Sequence, residues 1–470
     1  MAESPHLLVQ TRDPAEHLPS WKRAAYGIGA LGDFFIFALI NVMLVPIYVV
    51  ALKLDPRLLG FATALPRLVG VITDPIAGAV SDNTRSRWGR RRPFFFVAAI
   101  VCGTTLPLVW FPPTQFGSAG MFVYLLVVLG LFQAVYSFYI VPFGALGYEL
   151  TTDSDERTRV LAWCPYLTTI GSFAAPWFYW FSLRPMFGHS EVTGVRWMSF
   201  AAGAAIILCG VIPALVFREK KQAPRPEGKK ARVWSALRET ARSKAFLLLL
   251  GAMVLVTFGV NCQGTIGLYV SIFYICGGDK EAATQLGGFA GTAVGLGTFL
   301  VIPIITKMSV FWGKRNALLV ALAMCSLGGL ATWWTFSPSW PYLMVISSVI
   351  GYGGMTACNL MIASMTADVC DEDELRTGTH RAGAFASAMG ATLKATMTVM
   401  IVFGGYLPAL AGYTDLVHPP TMDQLFNMRV QFAGVQFILP LLAMWLVWFY
   451  PITKARDVEI RRLLDRRRKS

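Results

Sequence analysis

Long apolar segments alternate with short polar segments along the whole chain. Each apolar segment is close to the length of about 20 residues that an α-helix needs to cross a bilayer. The polar segments between them contain the prolines, glycines and charged residues that commonly end helices. The pattern predicts an all-α polytopic membrane protein with twelve transmembrane helices, near residues 24–51, 58–80, 93–110, 120–146, 160–183, 197–217, 245–275, 284–306, 317–336, 340–366, 381–407 and 427–450.

The composition agrees with this pattern. Of the 470 residues, 55% are apolar and 14% are charged, whereas a soluble domain carries about 25% charged residues. A soluble chain of this length would also normally divide into several domains, each with its own core. The composition therefore excludes a soluble enzyme, a disordered chain and a protein with a single membrane anchor.

The basic residues are distributed unevenly between the loops. The chain has 41 Lys and Arg against 27 Asp and Glu, a net charge of +14. If both termini face the cytoplasm, most of the positive charge lies in the tails and the inward loops, which is the positive-inside pattern. This orientation accounts for the net positive charge of the chain, so the charge is no evidence of nucleic-acid binding. The first 20 residues lack the pattern of a removable signal peptide, so we expect a multi-pass protein of the plasma (inner) membrane with both termini cytoplasmic.

Two loop motifs occur in both halves of the chain. The Trp-Gly-basic-basic motif of residues 88–91 recurs at 312–315, and the acidic motif of 155–158 recurs more loosely at 373–377. Such repeats of six helices are typical of transporters, whose substrate site lies near the bilayer midplane between the halves. The predicted domains are a cytoplasmic tail at 1–23, an N-terminal six-helix bundle at 24–217, a cytoplasmic linker at 218–244, a C-terminal six-helix bundle at 245–450 and a basic cytoplasmic tail at 451–470.

Four ionisable residues lie inside predicted spans and away from the span ends: Asp33, Arg67, Asp74 and Lys394. Charges within the bilayer are costly and mark functional sites by default. A buried carboxylate that gains and loses a cationic partner binds and releases a cation as it does so. We therefore predict that Asp74, Lys394 and Asp33 take part in cation coupling. The alternatives are an ion pair that only holds helices together and a role in substrate binding alone.

Polar and aromatic side chains within the spans are candidates for lining a substrate cavity. For each of them, hydrogen bonding or packing between helices is an equally good explanation. The histidines and cysteines show no metal-ligand spacing, and no cofactor is expected besides the coupling ion, H⁺ or Na⁺. The predicted substrate-binding residues are Asp33, Arg67, Tyr136, Trp163, Asn261, Gln263 and Asn359.

The loop after the second span resembles the inner loop motif of the major facilitator superfamily. Gly78 is followed by Asp82 and a basic cluster that includes Arg85, Arg90 and Arg91. A glycine lets two helices approach closely, and Asp82 and the arginines can form charge pairs that hold one closed state. We predict a gating role for these residues. The alternative is that the loop only orients the protein through its positive charge.

The motifs also resemble those of the glycoside-pentoside-hexuronide:cation symporters, the melibiose carrier family. Residues 73–93 are similar to the family's second span and loop, 141–158 to the end of its fourth span, and 367–381 with Lys394 to its tenth and eleventh spans. The resemblance implies the major facilitator fold, with two six-helix bundles. It also implies that Asp74 belongs to the cation site and that Lys394 lies near it. We add Arg381, which precedes Lys394 in this region, to the predicted gating residues.

The chain departs from this family at several functional positions. Gly70 stands where sodium-coupled members carry a second Asp, which favours a proton over sodium. Phe34 stands at the position of an acidic sugar ligand, with Asp33 one residue earlier, so we add Phe34 to the predicted substrate-binding residues. The remaining polar residues that bind sugar are replaced as well, at positions 140, 144 and 164.

We therefore expect a secondary active transporter, and not an enzyme, that couples a cation to the symport of a small organic solute such as a sugar, glycoside or uronide by alternating access. No nucleotide-binding loop or nucleophile constellation is present in the sequence. The expected partners are that solute and the lipid bilayer, and we expect the chain to be a monomer. A carrier of an amphiphilic or lysolipid-like solute, a passive facilitator and a receptor that no longer transports remain as alternatives.

Overall fold

Long helices make up the structure, a computed structural model that describes residues 18–84, 86–150, 154–188, 190–217, 243–261, 264–377, 382–414, 418–452, 454, 456, 459, 460 and 463. Within these residues there is no β-strand. The long helices are α1 (Ser20–Leu44), α2 (Pro56–Asn83), α3 (Arg92–Thr105), α4 (Gly117–Glu149), α5 (Ser154–Ala174), α6 (Glu191–Val216), α7 (Lys244–Asn261), α8 (Lys280–Trp312), α9 (Lys314–Thr335), α10 (Met344–Thr377), α11 (Ala382–Leu410) and α12 (Met422–Trp448).

Several helices change type before they end. Pro46, Pro107 and Pro176 lie in three of these transitions, where a proline removes the backbone donor of a regular α-helical hydrogen bond. The additional segments are Val45–Ala51 after α1, Leu106–Trp110 after α3, Ala175–Trp177 and Phe178–Ser182 after α5, and Gly264–Tyr269 and Val270–Ile275 after α7.

Eleven helical segments of the described chain are long and apolar enough to cross a membrane. The remaining long helix, α5, has polar first turns that include Glu156 and Arg159. Several observed helices extend beyond the predicted apolar segments because polar residues can continue a helix outside the hydrocarbon layer. One example is α10, which continues to Thr377. The chain is thus a multi-pass membrane protein, as the pattern predicts.

The helices form two bundles of six. In the first, α1 packs against α5 and α6, while α4 packs against α2 and α3. In the second, α9 packs against α10 and α12, and α12 also packs against α7. The predicted fold class, an all-α protein of two six-helix bundles, is confirmed.

The two bundles meet along two pairs of helices, α2 with α11 and α5 with α8. Glycines make these contacts close. A side-chain carbon at Gly405 of α11 would lie 2.4 Å from the carbonyl oxygen of Pro56 at the start of α2. A side-chain carbon at Gly291 of α8 would lie 2.4 Å from Cγ of Pro176. Small residues of this kind let membrane helices pack with their backbones in near contact.

The connections between helices lie at two ends of the molecule, because successive helices run in opposite directions. We call the end with the α2–α3 loop (residues 84–91) the basic end, and the end with the α1–α2 loop (residues 52–55) the far end. At the far end the two bundles are joined by ion pairs. Lys280 Nζ lies 2.8 Å from Glu191 Oε1, and Arg184 pairs with Glu281. These contacts close the far end.

Candidate functional site

Asp74 of α2 and Lys394 of α11 form an ion pair between the two bundles. Lys394 Nζ donates to Asp74 Oδ2 at 3.1 Å. The Lys394 side chain is 68% exposed and the Asp74 side chain 26% exposed. The second carboxylate oxygen, Asp74 Oδ1, is buried and has no hydrogen-bond partner. A buried carboxylate oxygen without a partner is costly, and binding a proton or another cation there removes the cost.

Asp33, the other carboxylate predicted for coupling, is held within the first bundle. The hydroxyl of Tyr136 on α4 donates to Asp33 Oδ1 at 2.6 Å. The Tyr136 ring meets the ring of Phe37 edge to face, with the centroids 4.8 Å apart. Asp33 and Tyr136, both predicted as substrate-binding residues, therefore form one hydrogen-bonded unit between α1 and α4.

Two hydroxyl groups beside Asp74 form a contact that the sequence did not predict. Thr73 Oγ1 lies 2.6 Å from Ser137 Oγ of α4, and either of them can donate the hydrogen. Thr73 Oγ1 also donates to the carbonyl of Val69 at 3.0 Å. Serine and threonine are frequent in membrane helices, where they bond to the backbone of the preceding turn, so their presence alone gives no signal of a site.

Gly70 lies one turn before Asp74 and faces Gln133 of α4. A side-chain carbon at Gly70 would lie 2.8 Å from Gln133 Nε2, which is closer than a normal contact. The amide end of Gln133 therefore occupies the space that the second Asp of the sodium-coupled carriers would need. The sequence analysis did not select Gln133, although a polar glutamine within an apolar segment could have indicated it.

A cavity of about 160 Å³ lies between the bundles, in the part of α2 nearest the far end. It is enclosed by α1, α2, α4, α11 and the segment after α7. Arg67 projects into this lining and has no hydrogen bond or ion pair with any described residue. The polar residues that line the cavity are Asn41, Thr63, Arg67, Gln133 and Thr265.

A second cavity, of about 600 Å³, lies where α5 of the first bundle meets α8 and α10 of the second. Asn359 lies seven residues after Tyr352 on α10, two helical turns along nearly the same face, and is exposed. Asn359 itself is not among the residues that line this cavity. The hydroxyl side chains in the lining belong to Thr169, Ser172, Thr298, Ser348 and Tyr352.

Two predicted aromatic residues lie where α1 packs against α5. A side-chain carbon at Gly171 would meet the Phe34 ring at 2.9 Å. A side-chain carbon at Gly27 would meet the carbonyl oxygen of Trp163 at 2.8 Å. The structure therefore places Phe34 and Trp163 at the contact between α1 and α5.

Of the two amide residues predicted in the seventh span, Asn261 and Gln263, only Asn261 is among the described residues. Asn261 Nδ2 donates to the carbonyl of Thr257 at 3.0 Å and approaches Met355 Sδ at 3.3 Å. Asn261 thus joins α7 to α10 within the second bundle. Gln263 lies outside the described residues.

The predicted gate residues lie at the basic end. Arg91 donates to Asp82 Oδ1 from Nε at 3.1 Å and from Nη2 at 2.7 Å, so this pair joins residues of the first bundle only. A side-chain carbon at Gly78 would lie 3.5 Å from Val141, an ordinary contact. Arg90 lies beside Arg91 in the loop, half-buried. The other two predicted gate residues, Arg85 and Arg381, lie outside the described residues.

The far end carries a second charged cluster, which the sequence did not predict. Glu191 accepts a hydrogen bond from the Tyr179 hydroxyl at 2.9 Å as well as from Lys280. Burial lowers the pKa of the nearby Lys53 ammonium, and the charge of Lys280 lowers it further, while Glu191 acts in the opposite direction. No group of residues able to hold a metal ion occurs among the residues for which coordinates are described.

Sequence comparison places most of the chain in a known family. Residues 25–454 match the family described as MFS/sugar transport protein. The chain is 24% identical over 466 residues to the glucuronide carrier protein homolog of Escherichia coli strain K12, covering 96% of each chain. It is 21% identical to the isoprimeverose transporter of Lactiplantibacillus pentosus, covering 93% of this chain and 90% of the relative.

Solved structures agree on the fold. A bacterial homologue of the human lysosomal transporter Spinster, in an inward-facing and occupied conformation, matches with a TM-score of 0.65 at 15% identity, covering 93% of this chain and 98% of that chain. The nucleoside transporter NupG, as a D323A mutant, matches with a TM-score of 0.64 at 14% identity, covering 90% and 99%. The chain belongs to the MFS/sugar transport protein family and is a membrane transporter, not an enzyme.

Proposed function

We propose that the protein is a secondary active symporter that couples a proton to the uptake of a small hydroxylated organic solute by alternating access. The observation that carries the proposal is the Asp74–Lys394 pair, which joins the two bundles and leaves Asp74 Oδ1 buried without a partner. Protonation of Asp74 removes its charge and weakens the pair. The protonation state and the relative position of α2 and α11 therefore influence each other, as reciprocal coupling requires.

The surroundings of Asp74 favour a proton over sodium. Hard metal cations are held by several oxygen ligands, whereas a proton needs one carboxylate. Gly70 supplies no side-chain oxygen, and Gln133 fills the space next to it. Thr73 and Ser137 are already hydrogen-bonded to each other and to the helix backbone.

The relatives support a sugar or glycoside as the solute. Three of them are named as a glucuronide carrier homologue, an isoprimeverose transporter and a putative sulfoquinovose importer. The cavities between the bundles have mostly apolar linings that include several hydroxyl side chains, and the first also includes two amides. A few placed polar groups in an apolar lining suit the recognition of a small hydroxylated solute.

We infer the orientation from charge. Under the positive-inside rule the basic end faces the cytoplasm, and both termini would then be cytoplasmic. We propose the inner membrane as the location because the glucuronide carrier homologue and the other bacterial relatives are symporters or transporters. With the far end closed by Lys280–Glu191 and Arg184–Glu281, the structure then corresponds to an inward-facing state.

The test is Asp74→Asn in proteoliposomes that contain the purified protein. A panel of sugars, glycosides and glucuronides is first screened for a solute that raises thermal stability, and that radiolabelled solute is then used. An inward proton gradient should drive uphill accumulation by the wild type, and Asp74→Asn should reduce it at least about tenfold because the site no longer binds and releases a proton. Exchange of pre-loaded solute should persist.

The matched control is Asp423→Asn, which changes an exposed carboxylate in the first turn of α12 at the far end. It should accumulate solute as the wild type does. Uphill accumulation by Asp74→Asn would contradict the assignment of Asp74 as the coupling residue. Accumulation by the wild type that is driven by a sodium gradient alone would contradict the proposal that the coupling ion is a proton.

A further inference from the structure

Arg67 has no ion-pair partner among the residues that the structure describes. It lies on the cavity side of α2, in the half of the helix nearest the far end, and is only partly exposed. No described residue accepts a hydrogen bond from it or forms an ion pair with it. Among the seventeen residues that line the cavity there is no Asp or Glu. The cavity therefore carries one positive charge that no described residue of its lining compensates.

The carboxylates on the neighbouring helices have other partners. Asp74 pairs with Lys394, and Asp33 accepts from Tyr136. Asp74 also lies seven residues further along α2, which is about 10 Å along the helix axis. A charged side chain within a membrane protein is costly unless it is paired or faces water. Arg67 has no partner among the described residues and lines a partly open cavity, so an anion that enters from outside the protein can pair with it.

The rest of the lining supplies further hydrogen-bond groups. Asn41 of α1 and Gln133 of α4 line the same cavity, and no described residue forms a hydrogen bond with the side-chain amide of either. An amide presents two donor hydrogens and a guanidinium presents five in a planar fork that matches a carboxylate. Together the three side chains offer donors around one enclosed space.

We propose that this cavity is an anion subsite, which binds the carboxylate of the transported solute through Arg67 with Asn41 and Gln133 as additional donors. The inference rests on the proposed transport function and narrows its substrate class to organic monoanions such as uronides. At about 160 Å³, the cavity is smaller than the 300–1,000 Å³ typical of pockets that enclose a whole drug-sized ligand. It encloses the charged group and its neighbouring atoms, and the remainder of the solute extends between the bundles.

The subsite has an electrical consequence. One proton at Asp74 and one monoanion at Arg67 carry no net charge across the membrane when they move together. Transport of the acid should therefore be insensitive to membrane potential, which acts on net charge at about 2.3 kcal/mol per charge per 100 mV. A neutral glycoside carried with one proton would instead respond to the potential.

The first test measures binding without any gradient. Methyl β-D-glucuronide carries a carboxylate where methyl β-D-glucoside carries a neutral hydroxymethyl group. Each compound is titrated into the purified protein, and its affinity is measured by calorimetry. We expect the wild type to bind the glucuronide at least about tenfold more tightly. Arg67→Gln should lose about 10- to 100-fold in glucuronide affinity, as expected when a charged hydrogen bond is removed, with little change for the glucoside. Arg67→Lys should retain part of the preference because it keeps the charge.

The matched control is Arg57→Gln on the same helix. Arg57 is exposed and already paired with Asp55, so its loss should leave the preference unchanged. Equal binding of both probes by the wild type, or binding of neither, would overturn the subsite. An equal loss of both probes in Arg67→Gln, with Arg67→Lys no better, would overturn it as well, because it would give Arg67 a structural role only.

The second test separates the subsite from the proposed symport. Asp74→Asn should keep the preference for the glucuronide although it no longer accumulates solute uphill. If the wild type fails to accumulate solute but still prefers the acid, the symport proposal fails and the subsite stands. If the wild type accumulates the neutral glycoside uphill and shows no preference for the acid, the symport stands and the subsite fails.

Discussion

Gly70 is the residue that separates this chain most clearly from a carrier with two carboxylates on the second span. Adding a side chain there would bring its first carbon 2.8 Å from the Gln133 amide, so an aspartate at 70 would have to displace the amide end of Gln133, and removing that side chain makes room for it. An aspartate one turn before Asp74 would face the same side of α2. Together the two residues would supply the carboxylate oxygens that a metal cation requires.

We predict that the double variant Gly70→Asp with Gln133→Ala gains sodium dependence. The initial rate of solute uptake at fixed pH should rise severalfold with added sodium, whereas the wild type should show no increase. The Gln133→Ala variant alone is the control, since it opens the space without adding a carboxylate. Sodium stimulation of the wild type or of the control would contradict the explanation.

The sequence predicted some site residues and missed others for a common physical reason. Asp74 and Lys394 were found because charges are rare inside apolar segments, and the structure places their charged atoms 3.1 Å apart. Thr73 and Ser137 were missed because hydroxyl residues are common in membrane helices and bond to their own backbone. Phe34 was assigned through a resemblance, and it lies at a contact between α1 and α5.

At the scale of elements, the sequence predicted where the helices are but not which faces meet. Segments that are apolar on all sides identify membrane helices, and each predicted span overlaps an observed helical segment, with several ends differing by one or two residues. The same uniform apolarity leaves the rotation of each helix undetermined. The packing of α2 on α11 depends on backbone contact at Gly405, which appears in the sequence as one glycine among 43.

We predict that Gly405→Leu disrupts this contact. A side-chain carbon at 405 would lie 2.4 Å from a backbone oxygen at Pro56, which cannot move aside as a flexible side chain can. Uptake should fall at least about tenfold and the melting temperature of the purified protein should decrease. Gly434→Leu on α12 is the control, because a side-chain carbon there meets no atom within 4 Å. An unchanged rate and stability in Gly405→Leu would show that α2 and α11 are not in close contact.

For the whole molecule, the repeated loop motifs predicted two halves, and the structure shows two six-helix bundles. The sequence did not predict which end is closed. The ion pairs that close the far end join residues from different connections, such as Glu191 at the start of α6 and Lys280 at the start of α8. Pairing between charges so far apart in the chain depends on the relative position of the bundles, and the loop sequences alone do not specify it.

Alternating access requires the far end to open, which gives the last prediction. A side-chain carbon at Gly291 of α8 would lie 2.5 Å from Cβ of Pro176, across the two bundles. A small separation brings paired cysteines to the 3.5–4.5 Å that a disulfide requires between Cβ atoms. In Pro176→Cys with Gly291→Cys, oxidation should therefore lock the far end and abolish uptake, and a reductant should restore it. Each single cysteine variant, oxidised in parallel, controls for the native thiols. Uptake that continues at the wild-type rate in the fully cross-linked protein would show that the bundles need not separate at this end, and would contradict alternating access through α5 and α8.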